Sequence, residues 1–390
     1  MSGANFPLSS ACPAGSTAPE GRLEGPLRIV VKLGTSTLTA GTQRLSPPRL
    51  ADLVRQIAAL RAASHAVVLV SSGAMASGRE ALGFPSLPKD IPAKQMLAAV
   101  GQPRLMALYA ELFAARNITV AQVLLTRTDL TLRRSYLNAR NTLTGLLERD
   151  ILPVVKENDT VATEEIRVGD NDNLSAMVAN LVDAELLILL TDQNGVFTGD
   201  PRSNPAARLI DEVEGDEIPS EVWRAAGGTG PELGTGGMIT KLQAADLARR
   251  SGAKVWIAYG GEHDVLLRIA DGERLGTRFR AVASAVESRK RYILAGGGSG
   301  GLVVDPGAAR ALRQGGSLLP IGVIGVSGEF ERGDTVRVAE ATGREMARGI
   351  VNYRAADLER LRGRHSDEIE ACLGYHYGDE VIHRNDMVLL

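Results

Sequence analysis

Cysteine is almost missing from this chain, with only Cys12 and Cys372 among 390 residues. They stand far apart and neither belongs to a Cys-x-x-Cys pair. That excludes a disulfide scaffold and a thiolate metal knuckle, and it suits a reducing compartment such as the cytoplasm. Aromatic residues make up 4%, too few for the stacking platform on which single-stranded nucleic acid rests. An excess of one charge is also lacking. The formal net charge is −2, so no global basic field draws in nucleic acid. No apolar run reaches the roughly 18 uncharged residues of a spanning helix, so no membrane is expected. The opening stretch MSGANFPLSSACPAGSTAPEGRLEG is rich in small residues but has no basic region followed by an apolar core. Residues 1–25 therefore read as a disordered extension and not as a secretory signal. No internal repeat or coiled-coil period is visible.

What the chain does have is core-forming material in alternating segments. Hydrophobic residues make up 44% and charged residues 23%, enough for two or three domains at this length. LRIVVKL (27–33) is a nearly continuous apolar run, as expected of a strand covered on both faces. In SPPRLADLVRQIAALRAAS, Leu50, Leu53, Val54, Ile57 and Leu60 recur at helical spacing. Ser46 there is the expected N-cap and Pro47 the first helical residue. HAVVLVSSGAM, ITVAQVLLT (118–126), ILPVVKEND (151–159), ELLILLTD (185–192) and AKVWIAYG read as further strands. YLNARNTLTGLLERD, LSAMVANLVDA and TKLQAADLARRSG read as helices between them. Such alternation predicts crossover units and a mostly parallel sheet. After about residue 285 short β-rich pieces take over, RYILA, GLVVD, SLLPIGVIGVSGEF, DTVRVAE and EMARGIVNY, punctuated by Gly328, Gly333 and Gly343. They predict a small β-barrel-like module at the C-terminus.

Polar residues gather where the predicted parallel strands end. Lys32 and Gly34 close the first strand, Ser71-Ser72-Gly73 the second, Lys156 to Asp159 a third and Thr191-Asp192 a fourth. In a parallel sheet these exits share one edge, which is where a ligand cleft forms. VVKLGTSTLT is no Walker A loop and SSGAMASG no GxGxxG fingerprint. Lys32 is therefore either a strand lysine reaching solvent or a phosphate contact. Lys241 follows GTGGM (234–238) near a helix start, where a cation is electrostatically misplaced unless an anion binds there. VGDNDNLSA (168–176) sets Asp170, Asn171, Asp172 and Asn173 side by side. A cap by Asp172 or Asn173, a magnesium site, or a grip on a polar substrate would each use some of these side chains.

Six segments together resemble the amino acid kinase family: VVKLGTS (30–36), SSGAMASGRE (71–80), KENDTVAT (156–163), VGDNDNLSA (168–176), LLTDQNGVFTGDPRSNP (189–205) and GTGGMITKLQAAD (234–246). QGGSLLPIGVIGVSGEFERGD (314–334) and HSDEIEACLGY (365–375) resemble a PUA domain. The resemblance implies a three-layer α/β/α sandwich with a mostly parallel sheet over 26–275, a linker over 276–289 and a PUA domain over 290–385. The resemblance further implies ATP-dependent phosphorylation of the L-glutamate side-chain carboxylate, the first step of proline synthesis. Lys32 and Lys241 are then the pair on the transferred phosphoryl group, with Asp172 holding them. Ser72, Asp159 and Asn171 become glutamate contacts. Lys32, Thr191, Asp192 and the run Thr235, Gly236, Gly237, Met238, Ile239, Thr240 and Lys241 become the ATP site. Mg²⁺ is implied with ATP, without a dedicated protein metal site.

The same resemblance implies L-proline as feedback inhibitor, a homo-oligomer (dimer or tetramer), and functional coupling to glutamate-5-semialdehyde dehydrogenase. Where the family stretch reads Asn-Glu-Asn-Asp, this chain has Lys156-Glu157-Asn158-Asp159. Lys156 either offers its charge to a substrate carboxylate or swings away. Two competing functions remain open at this point. One is kinase action on another carboxylate or a carbamate. The other is RNA binding through the C-terminal module, whose Lys290-Arg291 and Arg362-Gly363-Arg364 pieces read better as solvated surface.

Overall fold

An apolar run with no polar face can hide only in a strand covered on both sides. The first sheet is made of such runs: β1 (Arg28–Leu33), β2 (Ala66–Ser71), β3 (Val120–Leu125), β4 (Leu152–Glu157) and β5 (Leu186–Thr191). The short β6 (Glu212–Val213), then β7 (Lys254–Tyr259) and β8 (Thr277–Phe279), complete it. This computed structural model describes residues 25–88, 90–162, 171–227, 237–282, 293–294 and 300–390. The strand order is β3-β4-β2-β1-β5-β7-β8-β6. All neighbours are parallel except β7 and β8. Alternate residues of one strand serve opposite faces: Val30 joins one core cluster while Ile29 and Val31 join the other. Helices Pro47–Ala62, Ile91–Ala114 and Val265–Ala270 supply one face. Helices Arg133–Glu148, Asn171–Leu181 and Met238–Arg250 supply the other. The three expected layers are present.

Several local expectations meet corrections. The helix after Ser46 starts at Pro47 as predicted, but the Ser46 side chain makes no capping bond. Pro47 needs no N–H partner, so the start survives without it. Asn171 and Asp172 already belong to the helix Asn171–Leu181, so Asp172 does not act as its cap. The helix Ile91–Ala114, 24 residues long, has no counterpart in the sequence reading. Its apolar residues are spread around the cylinder, so no stripe marks it. β8 pairs with β7, which places the first part of the expected 276–289 linker inside this sheet.

The second sheet runs β10-β9-β11-β12-β13. Its strands are β9 (Gly300–Val304), β10 (Val323–Gly328), β11 (Thr335–Glu340), β12 (Glu345–Ile350) and β13 (Met387–Leu389). They pair antiparallel except β9 with β11. Helices Pro306–Arg313, Ala355–Leu361 and Ile369–Leu373 pack on it around a core of its own. Of the predicted strand RYILA, Ile293 and Leu294 have helical backbone and the other three lie outside the described residues. No helix among the described residues is long and apolar enough to cross a membrane.

Candidate active site

Parallel order brings the exits of β4, β2, β1 and β5 side by side along one edge. Lys32 is the fifth residue of β1, and its side chain is 5% exposed. Burying an ammonium this deeply is costly unless an anion meets it. Asp172 does so: its Oδ1 lies 2.6 Å from Lys32 Nζ. The other oxygen, Oδ2, lies 3.2 Å from Lys241 Nζ and accepts a 2.7 Å hydrogen bond from Thr240 Oγ1. One carboxylate thus spaces two lysines contributed by a strand and a distant helix, themselves bridged by a third segment. Burial pushes the Asp172 carboxyl up, but the charges of Lys32 and Lys241 and hydrogen bonds from Lys32 and Thr240 outweigh it. The balance leaves the group at about 2. Two cations thus face a single anion, which leaves room for a second anion at the array.

The helix Met238–Arg250 presents Lys241 through its first turn. Gly237 precedes it with φ +79, a left-handed conformation open to glycine. Its carbonyl accepts from Thr240 Oγ1 at 3.0 Å and from Lys241 Nζ at 3.4 Å. Lys241 therefore sits in the unfavourable first-turn position with Asp172 as its counter-ion. Beyond it opens a cleft of about 360 Å³, lined by Thr191, Asp192, Gly237, Met238 and Lys241. That volume is within the range of small-molecule sites. Ile239 instead buries its side chain in the core, and Thr240 turns to Asp172. Lys32 reaches Asp172 from the strand and does not line the cleft. Thr235 and Gly236 lie outside the described residues. The sequence reading missed Phe197, Asp200, Arg202 and the 225–227 turn, which also line it. Phe197 and Asp200 belong to a quoted motif, LLTDQNGVFTGDPRSNP, but nothing local tells which of its residues face inward.

On the other side of β1, Ser72 leaves β2 through a bond from its N–H to the Leu33 carbonyl, 2.9 Å. Asn171 donates from Nδ2 to Ser72 Oγ at 3.0 Å. Asn171 Oδ1 is buried with no hydrogen-bond partner among the described residues, an acceptor that a ligand's donor could satisfy. Gly73 has φ +101 and its missing Cβ would lie 3.0 Å from Leu38 Cδ1, so the turn after Ser72 requires glycine. Asp159, the expected glutamate contact, meets a cation from its own strand exit. Its Oδ2 forms a buried ion pair with Lys156 Nζ. Asp170 lies outside the described residues. Among the described residues there is no group of three or more His, Cys, Asp or Glu side chains that could hold a metal ion. Asp172 has both oxygens committed, so a magnesium ion fits this site as a companion of nucleotide phosphates more readily than in a carboxylate cage.

A buried carboxylate that separates two lysines, at the strand exits of a parallel sheet and beside a small-molecule cleft, is an arrangement suited to meeting phosphate oxygens. Residues 27–259 match the amino acid kinase family and residues 300–373 match the PUA domain. The chain belongs to the amino acid kinase family. Among curated relatives, glutamate 5-kinase of Deinococcus radiodurans is 56% identical over 365 residues, covering 93% of this chain and 100% of that protein. Glutamate 5-kinase of Shewanella oneidensis is 53% identical over 365 residues, covering 93% and 98%. That of Herpetosiphon aurantiacus is 53% identical over 364 residues, with the same coverage.

Proposed function

We propose that this chain transfers the γ-phosphoryl group of ATP to the side-chain carboxylate of L-glutamate, yielding L-glutamyl 5-phosphate and ADP at the first step of proline synthesis. The observation that carries this reading is the Lys32–Asp172–Lys241 array set between the Thr191–Asp192 cleft and the Ser72–Asn171 pair. The relatives named above, glutamate 5-kinases at 53–56% identity, support the choice of substrate.

A glutamate side chain has a reference pKa of about 4.3 and is ionised near neutrality. It attacks phosphorus without losing a proton, so no general base is required, unlike transfer to a hydroxyl. The obstacle is repulsion between an anionic nucleophile and a polyanionic phosphate. Lys32 and Lys241 answer it by placing positive charge on the oxygens that gain charge in transfer. Asp172 holds the two ammonium groups together against their mutual repulsion. Magnesium bound to the ATP supplies further neutralisation of the phosphate charge. Thr191, Asp192, Gly237 and Met238 line the nucleotide side, with Ile239 and Thr240 holding the helix in place. Ser72, Asp159 and Asn171 hold glutamate.

Proline as feedback inhibitor, a dimer or tetramer, coupling to glutamate-5-semialdehyde dehydrogenase and residence in the cytoplasm belong to the same reading and rest on family resemblance. The direct test offers ATP with glutamate, N-acetylglutamate, aspartate or carbamate and traps any acyl phosphate with hydroxylamine. Hydroxamate from glutamate alone is the expected result. Turnover of another acceptor in preference to glutamate would replace the substrate while leaving the phosphotransfer site intact.

A further inference from the structure

Ser72, the expected glutamate contact at the exit of β2, has its backbone held at both ends. Its N–H donates to the Leu33 carbonyl at 2.9 Å. Its carbonyl accepts a 2.9 Å hydrogen bond from the hydroxyl of Ser71. The Ser71 hydroxyl also lies 2.8 Å from the hydroxyl of Tyr109. A serine hydroxyl has one proton to give. Ser71 directs its proton to the Ser72 carbonyl, so between the two hydroxyls Tyr109 is the donor. Both residues are buried, and burial holds the Tyr109 phenol above its ordinary range, which keeps that proton in place near neutrality. A one-way chain results, from the Tyr109 hydroxyl to the Ser71 hydroxyl to the Ser72 carbonyl.

Tyr109 belongs to the helix Ile91–Ala114, which meets the same segment a second time. Gly101, about two turns earlier on that helix, passes so close that a Cβ there would lie 1.8 Å from the Ala74 carbonyl oxygen. Ser72 and Gly73 thus lie between two points, Ser71 and Ala74, that one helix fixes. Gly73 by itself imposes no conformation on the turn, since glycine is free on both sides of φ. Asn171 then meets a Ser72 Oγ whose direction is already set. Filling the core does not call for the hydroxyl: Phe113, its ring centroid 6.2 Å from that of Tyr109, packs in the same layer without one. We propose that Tyr109 is a positioning residue for phosphoryl transfer, acting through Ser71 to aim Ser72 at the acceptor. It touches no substrate itself, and its role rests on the reading of Ser72 as an acceptor contact given above.

The test measures KM for ATP and for whichever of the four acceptors named above the wild-type protein phosphorylates best, read as hydroxylamine-trapped acyl phosphate. Tyr109→Phe keeps the ring and removes the first donor of the chain, while Ser71→Ala removes its centre. Each variant should raise the acceptor KM about 3- to 10-fold, the effect of one neutral hydrogen bond. The ATP KM should stay within about twofold of wild type. Because the two hydroxyls act as one chain, the double variant should be no worse than Ser71→Ala alone. A tyrosine that only fills the core lowers the melting temperature and leaves the ratio of the two KM values unaltered, and that result overturns the proposal. So do effects that multiply in the double variant, which would make the two hydroxyls independent. Should Ser71→Ala fail to fold, the KM ratio of Tyr109→Phe decides by itself. Preference of wild type for another carboxylate overturns the glutamate reading, and the chain is then judged on that acceptor's KM. Glutamate turned over with an unaltered KM in Tyr109→Phe overturns the positioning role alone, and a wild-type protein that phosphorylates none of the four sinks both.

Discussion

Asp172 carries three jobs in one side chain: it neutralises Lys32, positions Lys241 and accepts from Thr240. Its carboxyl is held at about 2, against an ordinary 3.8. Because the folded value lies below the unfolded one, the stabilisation is complete above pH ~4 and drains away as pH falls toward 2. A shift of that size corresponds to about 2–3 kcal/mol. Denaturant melts between pH 6 and pH 3 should therefore show a shallower loss of stability for Asp172→Asn than for wild type. Parallel curves would mean that Asp172 has no such linkage. On the proposed mechanism Lys32→Ala and Lys241→Ala remove a cation aimed at developing charge, and kcat should fall about 10²- to 10³-fold. An exposed salt bridge, worth roughly 0.2–1 kcal/mol, would give no such loss. Turnover near wild type at saturating ATP and glutamate would remove either lysine from the reaction. Thermal melts run alongside separate activity from folding, since Lys32→Ala leaves Asp172 with one fewer partner. The residue types were readable: two lysines and an Asp-Asn run have few uses together. Their contacts were not, because Lys32, Asp172 and Lys241 are separated by over a hundred residues and by tens of residues.

The helix Ala74–Ala81 begins two residues after Ser72, so its placement governs that contact. It crosses the helix Ile91–Ala114 at a point where backbone nearly touches backbone. A Cβ on Gly78 would lie 1.9 Å from the Leu97 carbonyl oxygen, and one on Gly101 would lie 1.8 Å from that of Ala74. Alanine in a helix is ordinarily favoured over glycine by about 1 kcal/mol, but these clashes have no flexible side chain to yield. Overpacking of about 1–3 kcal/mol should win. Gly101→Ala is expected to melt several degrees below wild type and to raise the glutamate KM more than the ATP KM. A melting temperature at or above wild type would show that the helices can separate freely. Composition hides this junction: SSGAMASG and AAVGQ look like loop material, and only the crossing shows that their small residues admit a second helix.

At the scale of the molecule, the helix Arg133–Glu148 stands between the two sheets. Its Leu137 packs with Ile293, Ile350 and Val388. Around this cluster Arg140 pairs with Asp386, Arg332 bonds to Asn138, and Arg133 meets Asp334 at 3.0 Å. Gly333 fits against the same helix, its missing Cβ 3.1 Å from Arg133 Cβ. An apolar centre flanked by two ion pairs and a hydrogen bond from an arginine is expected to couple the two cores. Wild-type protein should unfold in one calorimetric transition. Leu137→Ala combined with Arg140→Ala should split it into two, because the cavity and the orphaned Asp386 weaken the seam more than either core. A single transition in that variant would place cohesion elsewhere. Nothing in the spacing of Leu137, Arg140 or Asp386 signals that they meet; the seam arises only once two folded surfaces face each other.

Short-range pattern was enough for most of the alternating strands and helices of the first sheet, the parallel order they impose and the gathering of polar residues at strand exits, since each follows from the period of neighbouring side chains and the right-handed crossover. It was enough as well for the family, whose motifs lie in continuous runs. Folding in three dimensions settled the rest: that Asp172 stands between Lys32 and Lys241, that Lys156 answers Asp159, that β8 extends the first sheet and that Leu137 meets the second. Those contacts depend on distances between segments far apart in the chain, which local period cannot encode. They arise from the shared need of buried charges for partners and of apolar faces for cover.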